Sequence, residues 1–266
     1  MSQTEILAQE SYNELLQLLD WFSLHGPIPT LIGGWAVFVY NSYLGSVDID
    51  LVGPSMSGRF LDVIERFERI HGYEQKRKDI LGFENIFRKP VIRNKKLYGY
   101  VEIDVCSYES DAASFHEDQQ RKLPYALCAN RKLCRKLVLN KKRVAYVPEK
   151  SLLFLYKIKA QRDRTFDLKT KRGVLGAQKR SWLEGKIVKD GSDLIALLDP
   201  KPKRYILEDQ FDFNHLKEIV DKHNLHFALE TVKKLPTQKK SLRKYGNINE
   251  NKVEKWVKNF QQNLKT

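Results

Sequence analysis

Apolar positions recur at helical spacing from residue 4 to 24, where Leu15, Leu18, Leu19 and Phe22 share one face. "HGPIPT" then breaks the chain at Gly26, Pro27 and Pro29. "TLIGG" reads as a short strand ending in two glycines, and "WAVFVYNSYLG" as about three helical turns stopped by Gly45. In "SVDIDLVG" the pattern changes to strict alternation, so this is a strand, closed by Gly53-Pro54. Residues 57–71 predict an amphipathic helix with Phe60, Leu61, Ile64 and Phe67 inward. "FENIFRKPVI" and "GYVEIDVCSY" predict further strands, and "KLVLNKKRVAYV" a hairpin turning at Asn140-Lys141. After Pro148 helical spacing takes over, near 150–165, 187–199, 212–223, 225–234 and 250–264. The expected architecture is an α/β domain over residues 1–148 followed by an α-helical domain over 149–266.

Composition narrows the function classes. With 42% hydrophobic and 30% charged residues among 266, the chain can bury a real core and is not a disordered polymer. A formal charge of +14 points to polyanionic partners, meaning nucleic acid, nucleotides or acidic lipid, although a lysine-rich surface also serves solubility. Cys106, Cys128 and Cys134 show no C-x-x-C spacing, which argues against a zinc site or a disulfide framework and fits a reducing cytoplasm. The N-terminal "MSQTEILAQE" has no signal-peptide character, and "LIGGWAVFVYNSYLG" is too short for a membrane span. No membrane partner is expected.

The alternation in "SVDIDLVG" puts Val47, Ile49 and Leu51 on one face and the carboxylates Asp48 and Asp50 on the other. "YVEIDVCSY" repeats the arrangement, with Val101, Ile103 and Val105 opposite Glu102 and Asp104. If the two strands are neighbours, the carboxylates converge and call for a cation. Mg²⁺ suits hard oxygen donors, and two such ions can serve an in-line phosphoryl or nucleotidyl displacement. The plain alternative is a solvated polar face. Gly33-Gly34 at a strand-to-helix turn adds a candidate phosphate site, since a helix N-terminus presents unpaired N–H groups and glycine permits close approach. The spacing is not that of a P-loop or a dinucleotide fingerprint.

Strand, Gly-Gly, helix, Asp-x-Asp strand and a later strand with a third acid resemble the nucleotidyltransferase superfamily related to the DNA polymerase β catalytic core. The match falls on Gly33, Gly34, Asp48, Asp50 and Asp104. "GGWAVFVYNSYLGSVDIDL" is most similar to the toxin-like nucleotidyltransferases of abortive-infection systems. Those often read G-G-x-A, then R-x-T-x-D-I-D-L. Ser46 takes the threonine position here, while Leu44 stands where the arginine is usual. "LLFLYKIKAQRDR" and "WLEGKIVKDGSDLIALLD" resemble the family's K-x-x-A…R and K-D-x-x-D-L segments, offering Lys157, Lys159, Arg164, Lys189, Asp190 and Asp193.

The resemblance implies an α/β nucleotidyltransferase domain with a mixed sheet and a Mg²⁺-dependent reaction on an NTP. In it Asp48, Asp50 and Asp104 would hold two Mg²⁺ ions and be catalytic. Gly33, Gly34, Ser46, Lys157, Arg164, Lys189 and Asp190 would bind the nucleotide. An RNA 3′-end such as that of tRNA is the implied acceptor, as some toxin relatives use, and an antitoxin partner follows from the same likeness. A protein hydroxyl or a small molecule is an alternative acceptor, and a non-catalytic nucleic-acid-binding protein on a degenerate scaffold is an alternative function.

Helical geometry sorts some of these residues. Lys157 and Arg164 are seven apart and share a face, with Lys159 roughly opposite. Asp190 leans to the apolar side of its helix, so it needs a partner, which Lys157 or Arg164 would supply. A structural salt bridge is the competing reading for Asp190 and Asp193. The basic stretch 167–186, ending near Trp182, could grip RNA or be a solvated loop with Trp182 in the core. The histidines, among them His215, His223 and His226, show no convincing metal spacing.

Overall fold

The alternating segments come together as one mixed sheet. A computed structural model describes residues 2–54, 59–77, 85–109, 113–139, 142–171 and 173–265, with the backbone alone for 75–77 and 85–87. The chain divides into two compact units: residues 1–38, 45–110 and 125–148 form the first, and 39–44, 111–124 and 149–266 the second.

The first unit is the α/β part. Its strands are β1 (Thr30–Ile32), β2 (Ile49–Gly53), β3 (Glu74–Arg77), β4 (Asn85–Arg93) and β5 (Lys96–Ser107), followed below by two more. The second unit contributes the small hairpin β6 (Ser114–Phe115) and β7 (Asp118–Lys122), and the first resumes with β8 (Cys134–Leu139) and β9 (Arg143–Pro148). The seven strands of the first unit lie in the order β3-β4-β5-β2-β1-β9-β8. β2 runs parallel to β5 and antiparallel to β1, and β1 runs parallel to β9, so the sheet is mixed. The expected hairpin turn at Asn140-Lys141 lies outside the described residues, while its strands pair from Cys134↔Pro148 to Leu139↔Arg143.

Two helices cover one face of this sheet. α1 (Gln3–His25) starts with a capping box in which Ser2 and Glu5 satisfy each other's backbone N–H groups. It packs on β5 and β9 and meets α3 (Arg59–Ile70), where Phe22 stacks on Phe60 with ring centroids 5.4 Å apart. Ile49, Leu51, Val101 and Ile103 are buried, as strand alternation requires.

α2 (Gly33–Tyr40) is shorter than its composition suggests, ending at Tyr40 rather than near Gly45. The reason is tertiary. The Val39 carbonyl accepts hydrogen bonds from the N–H groups of Ile206 and Leu207 instead of continuing the helix, and Asn41 Nδ2 donates to the Ala196 carbonyl and Tyr245 Oη, each at 2.9 Å.

The second unit is helical: α4 (Lys150–Thr170), α5 (Ala177–Leu198), α6 (Phe213–Lys222), α7 (His226–Lys233), α8 (Lys239–Lys244) and α9 (Glu250–Lys265). α5 begins about ten residues earlier than its apolar pattern does, because its first turns carry polar side chains on exposed surface. Trp182 therefore sits on an exposed helical turn at 47% exposure, not in the core. Gly191 lets α8 approach α5, since a Cβ there would collide with Gln238 and Ser241. Among the described residues no helix is long and apolar enough to cross a membrane.

One buried acid couples this packing to pH. Glu68 lies on the inner face of α3, and burial, with Glu65 nearby, pushes its pKa up to about 8. The folded state then holds a proton that the unfolded chain releases above its ordinary value of 4.5. Stability should fall as pH rises from about 4.5 to about 8, by at most about 1.4 kcal/mol per unit. Thermal melts over this range should show that slope in the native protein. Glu68→Gln should flatten it and melt higher at the alkaline end; an unchanged slope would place the titration elsewhere.

Candidate active site

Ile32 pairs with Asp50 across β1 and β2, and Asp50 pairs with Asp104 across β2 and β5. Residues in direct register share a face, and adjacent strands run about 4.8 Å apart, so the two carboxylates rise side by side from the middle of the sheet. Asp50 is half-buried and Asp104 exposed. Asp48 lies in a bend one residue before β2, rather than within the strand, and is half-buried; Ser46 just before it is buried.

Directly after Ile32 the chain turns into α2 through Gly33, whose φ is +67°. A Cβ at this residue would fall inside the Asp50 carboxylate, with Oδ2 nearest. Gly33 is thus required twice, by its left-handed backbone and by the side chain above it. The Asp50 carboxylate sits at the N-terminal end of α2, where helix N–H groups and the dipole favour negative charge.

Two further groups, which local patterning does not reveal, adjoin Asp50. Cys106 is the register partner of Val52 on the same face. Tyr125 opens the 3-10 turn Tyr125–Ala129, which packs on β2 and β5. Burial first, then Cys106 and Asp50, raise the Tyr125 phenol pKa well above its usual value, so it stays protonated and able to donate.

The remaining expected residues belong to the helical unit. Lys157 on α4 reaches α5, with Nζ 2.7 Å from Asp193 Oδ2 and 3.8 Å from Asp190 Oδ1. Arg164 pairs with Asp190, and Lys189 with Asp193 at 3.0 Å. Tyr43 Oη donates to Asp193 Oδ1 at 2.5 Å. Lys159 turns the other way, to Asp163 at 2.5 Å on its own helix. Burial alone would raise the Asp193 pKa, but Lys157 and Lys189, with the Lys157 and Tyr43 hydrogen bonds, outweigh it and hold the carboxyl at about 2. Burial is also the main cause that lowers the Lys189 pKa. Side-chain exposure is 8% for Lys157, 18% for Lys189 and 31% for Arg164, which ranks their access to an anion.

A third grouping has no local sequence signal. Glu149 and Asp212 occupy the N-cap positions of α4 and α6, and His215 Nδ1 lies 3.0 and 3.2 Å from the two Glu149 oxygens and 3.4 Å from Asp212 Oδ2. Their ligand atoms fall within 4.8 Å of one another. Asp212 Oδ1 already caps the N–H groups of Asn214 and His215, so the group serves as a junction between helix starts.

No protein-family model matches the chain, and no curated protein matches it. Among solved structures it is similar to an antigenic nucleotidyltransferase-like protein from Paracoccidioides brasiliensis, at 17% identity over 87% of this chain and 93% of that one, with a TM-score of 0.42. At that score the likeness transfers no residue's role.

Two substitutions test the geometry. Gly33→Ala should lower stability by about 1–3 kcal/mol in denaturant titrations, and Asp50→Ala in the same chain should recover part of that loss. No recovery would mean the Asp50 side chain is not what excludes a Cβ. Lys157→Met should cost about 1–3 kcal/mol, since Lys189 and Tyr43 still bond Asp193. Lys157→Met/Lys189→Met, which leaves Asp193 without a cation, should cost about 3–5 kcal/mol. Equal stability of the native and Lys157→Met chains would contradict the ion network.

Proposed function

We propose that this chain is a Mg²⁺-dependent nucleotidyltransferase that moves a nucleotidyl group from an NTP to a hydroxyl. The proposed acceptor is an RNA 3′-end, tRNA foremost, and the proposed biological setting is that of a toxin-type enzyme with an antitoxin partner. The observation that supports this reading most is the direct register of Asp50 with Asp104, with Asp50 seated over Gly33 at the start of α2.

The donor chemistry fits the metal. Asp48, Asp50 and Asp104 offer carboxylate oxygens, the hard donors Mg²⁺ prefers, and Gly33 leaves the Asp50 carboxylate uncrowded by any side chain at that residue. When bound, Mg²⁺ would neutralise these carboxylates and stabilise charge on the attacking and leaving oxygens. The chain's own residues would do the rest. The Gly33-Gly34 turn and the first turn of α2 would receive the terminal phosphates on backbone N–H groups. Asp104, exposed beside Asp50, would take the proton from the acceptor hydroxyl. The hydroxyl oxygen bonds to the α-phosphorus, the α–β anhydride bond breaks and pyrophosphate leaves. Catalysis would be mostly positioning and charge neutralisation. Within the helical unit Lys157 fixes Asp190 and Asp193, and Arg164 and Lys189 are the more exposed cations of that group.

An RNA acceptor is favoured by the +14 charge and by Trp182, whose exposed ring lies under Lys179 and Lys186, with ammonium-to-centroid distances of 3.9 and 5.5 Å. The same features, with Leu44 in place of an arginine, are what a non-catalytic nucleic-acid-binding protein would show.

Incubation with α-labelled NTPs, Mg²⁺ and total RNA separates these readings. Label should enter RNA, and Asp48→Ala or Asp50→Ala should reduce it by roughly 100-fold or more. Transfer that survives both substitutions would sink the catalytic assignment, and label on protein would redirect the acceptor.

A further inference from the structure

A recess of about 760 Å³ lies between the C-terminal end of α1 and the outer face of α3, within the α/β unit. Trp21 and His25 line it from α1, and Arg59, Arg66, Arg69 and Ile70 from α3. The spacing 59, 66, 69–70 keeps those side chains on one helical face. Asp62 is the acid among the lining residues. All three arginines are exposed, and among the described residues none forms an ion pair. The Nε of Arg59 donates to the His25 carbonyl at 3.1 Å and that of Arg69 to the Glu65 carbonyl at 3.4 Å, which steadies both forks. Glu68, on the inner side of α3 and pushed up to about 8, adds little negative charge at neutral pH.

The aromatic part of the wall is also held in place. Trp21 Nε1 donates to the Val63 carbonyl at 2.9 Å, and the His25 ring lies 4.1 Å from it, centroid to centroid. Exposed Ile70 borders the same space at 66% exposure. Guanidinium forks match phosphate oxygens, and flat rings take a base by stacking. A lone phosphate would leave most of a 760 Å³ recess empty, and an acidic peptide would leave the rings unused. A duplex keeps its bases stacked inside and cannot offer one to Trp21.

We infer that the α1–α3 recess binds single-stranded RNA, with a base on Trp21 and His25 and the flanking phosphates on Arg59, Arg66 and Arg69. The choice of RNA rests on the acceptor proposed above; the binding itself does not depend on nucleotidyl transfer. Neither NTP nor Mg²⁺ is needed to test it, so failure here leaves the catalytic reading standing, and the reverse holds too.

The test is fluorescence anisotropy of the full chain with a labelled unstructured RNA 12-mer across a salt series. Arg66→Ala/Arg69→Ala should weaken binding at least tenfold and reduce the slope of log K on log salt by about 1.4, at about 0.7 per phosphate contact on a single strand. Both arginines are exposed, so this variant should melt with the native protein. Trp21→Leu should weaken binding about fivefold or more, and Trp21→Phe should restore most of it. If Trp21→Leu does not fold, the arginine variant decides. Native affinity and slope in Arg66→Ala/Arg69→Ala would overturn the inference. So would displacement of the RNA by polyglutamate of equal charge as readily as by unlabelled RNA, or tighter binding of duplex than of single strand.

Discussion

The Asp50 carboxylate occupies the space that any side chain at residue 33 would need, and the site depends on that exclusion. Gly33 must take φ +67°, so β1 stops at Ile32 and α2 starts at once. The pairing of Ile32 with Asp50 then sets which face of β2 carries the carboxylate, and the parallel register of β2 with β5 sets Asp104 beside it. Ile49, Leu51 and Ile103, buried on the other face, lock that register, because a one-residue slip would put carboxylates into the core. The same apolar packing that holds the sheet together thus sets two carboxylates next to each other on the opposite face.

The helical unit uses charge differently. Lys157, Arg164, Lys189, Asp190, Asp193 and Tyr43 form a buried network in which each acid has at least one cation within ion-pair distance. Such networks contribute little net stability against an apolar core, and breaking one partner is costly. Their clearest effect is to hold α4 against α5 in one geometry. Side-chain exposure rises from 8% at Lys157 to 31% at Arg164, and both cations are engaged with Asp190. The resemblance alone treats Lys157, Arg164, Lys189 and Asp190 as nucleotide contacts.

What was legible in the sequence was what short-range physics controls. The alternation in "SVDIDLVG" and "YVEIDVCSY" located β2 and β5, and seven-residue spacing put Lys157 and Arg164 on the face that meets Asp190. The neighbour relation of β2 and β5 was conditional in the sequence and is a matter of topology. What was hidden depends on distant partners. α2 stops early because Val39 and Asn41 bond to residues far along the chain. β3, reading Glu74–Arg77, has no apolar alternation, and the exposed first turns of α5 have no apolar stripe. Tyr125 comes to β2 and β5 from a 3-10 turn, and Glu149 meets His215 across 66 residues, so neither approach leaves a local signature.

The central claim is that Asp50 and Asp104 share a divalent cation. Mn²⁺, a paramagnetic substitute with the same preference for oxygen donors, reports on it directly through electron paramagnetic resonance titration with a non-hydrolysable NTP analogue. The account predicts saturable binding by the native chain that is lost in Asp50→Asn and in Asp104→Asn, both still folded. Binding that is unchanged in both variants would contradict it.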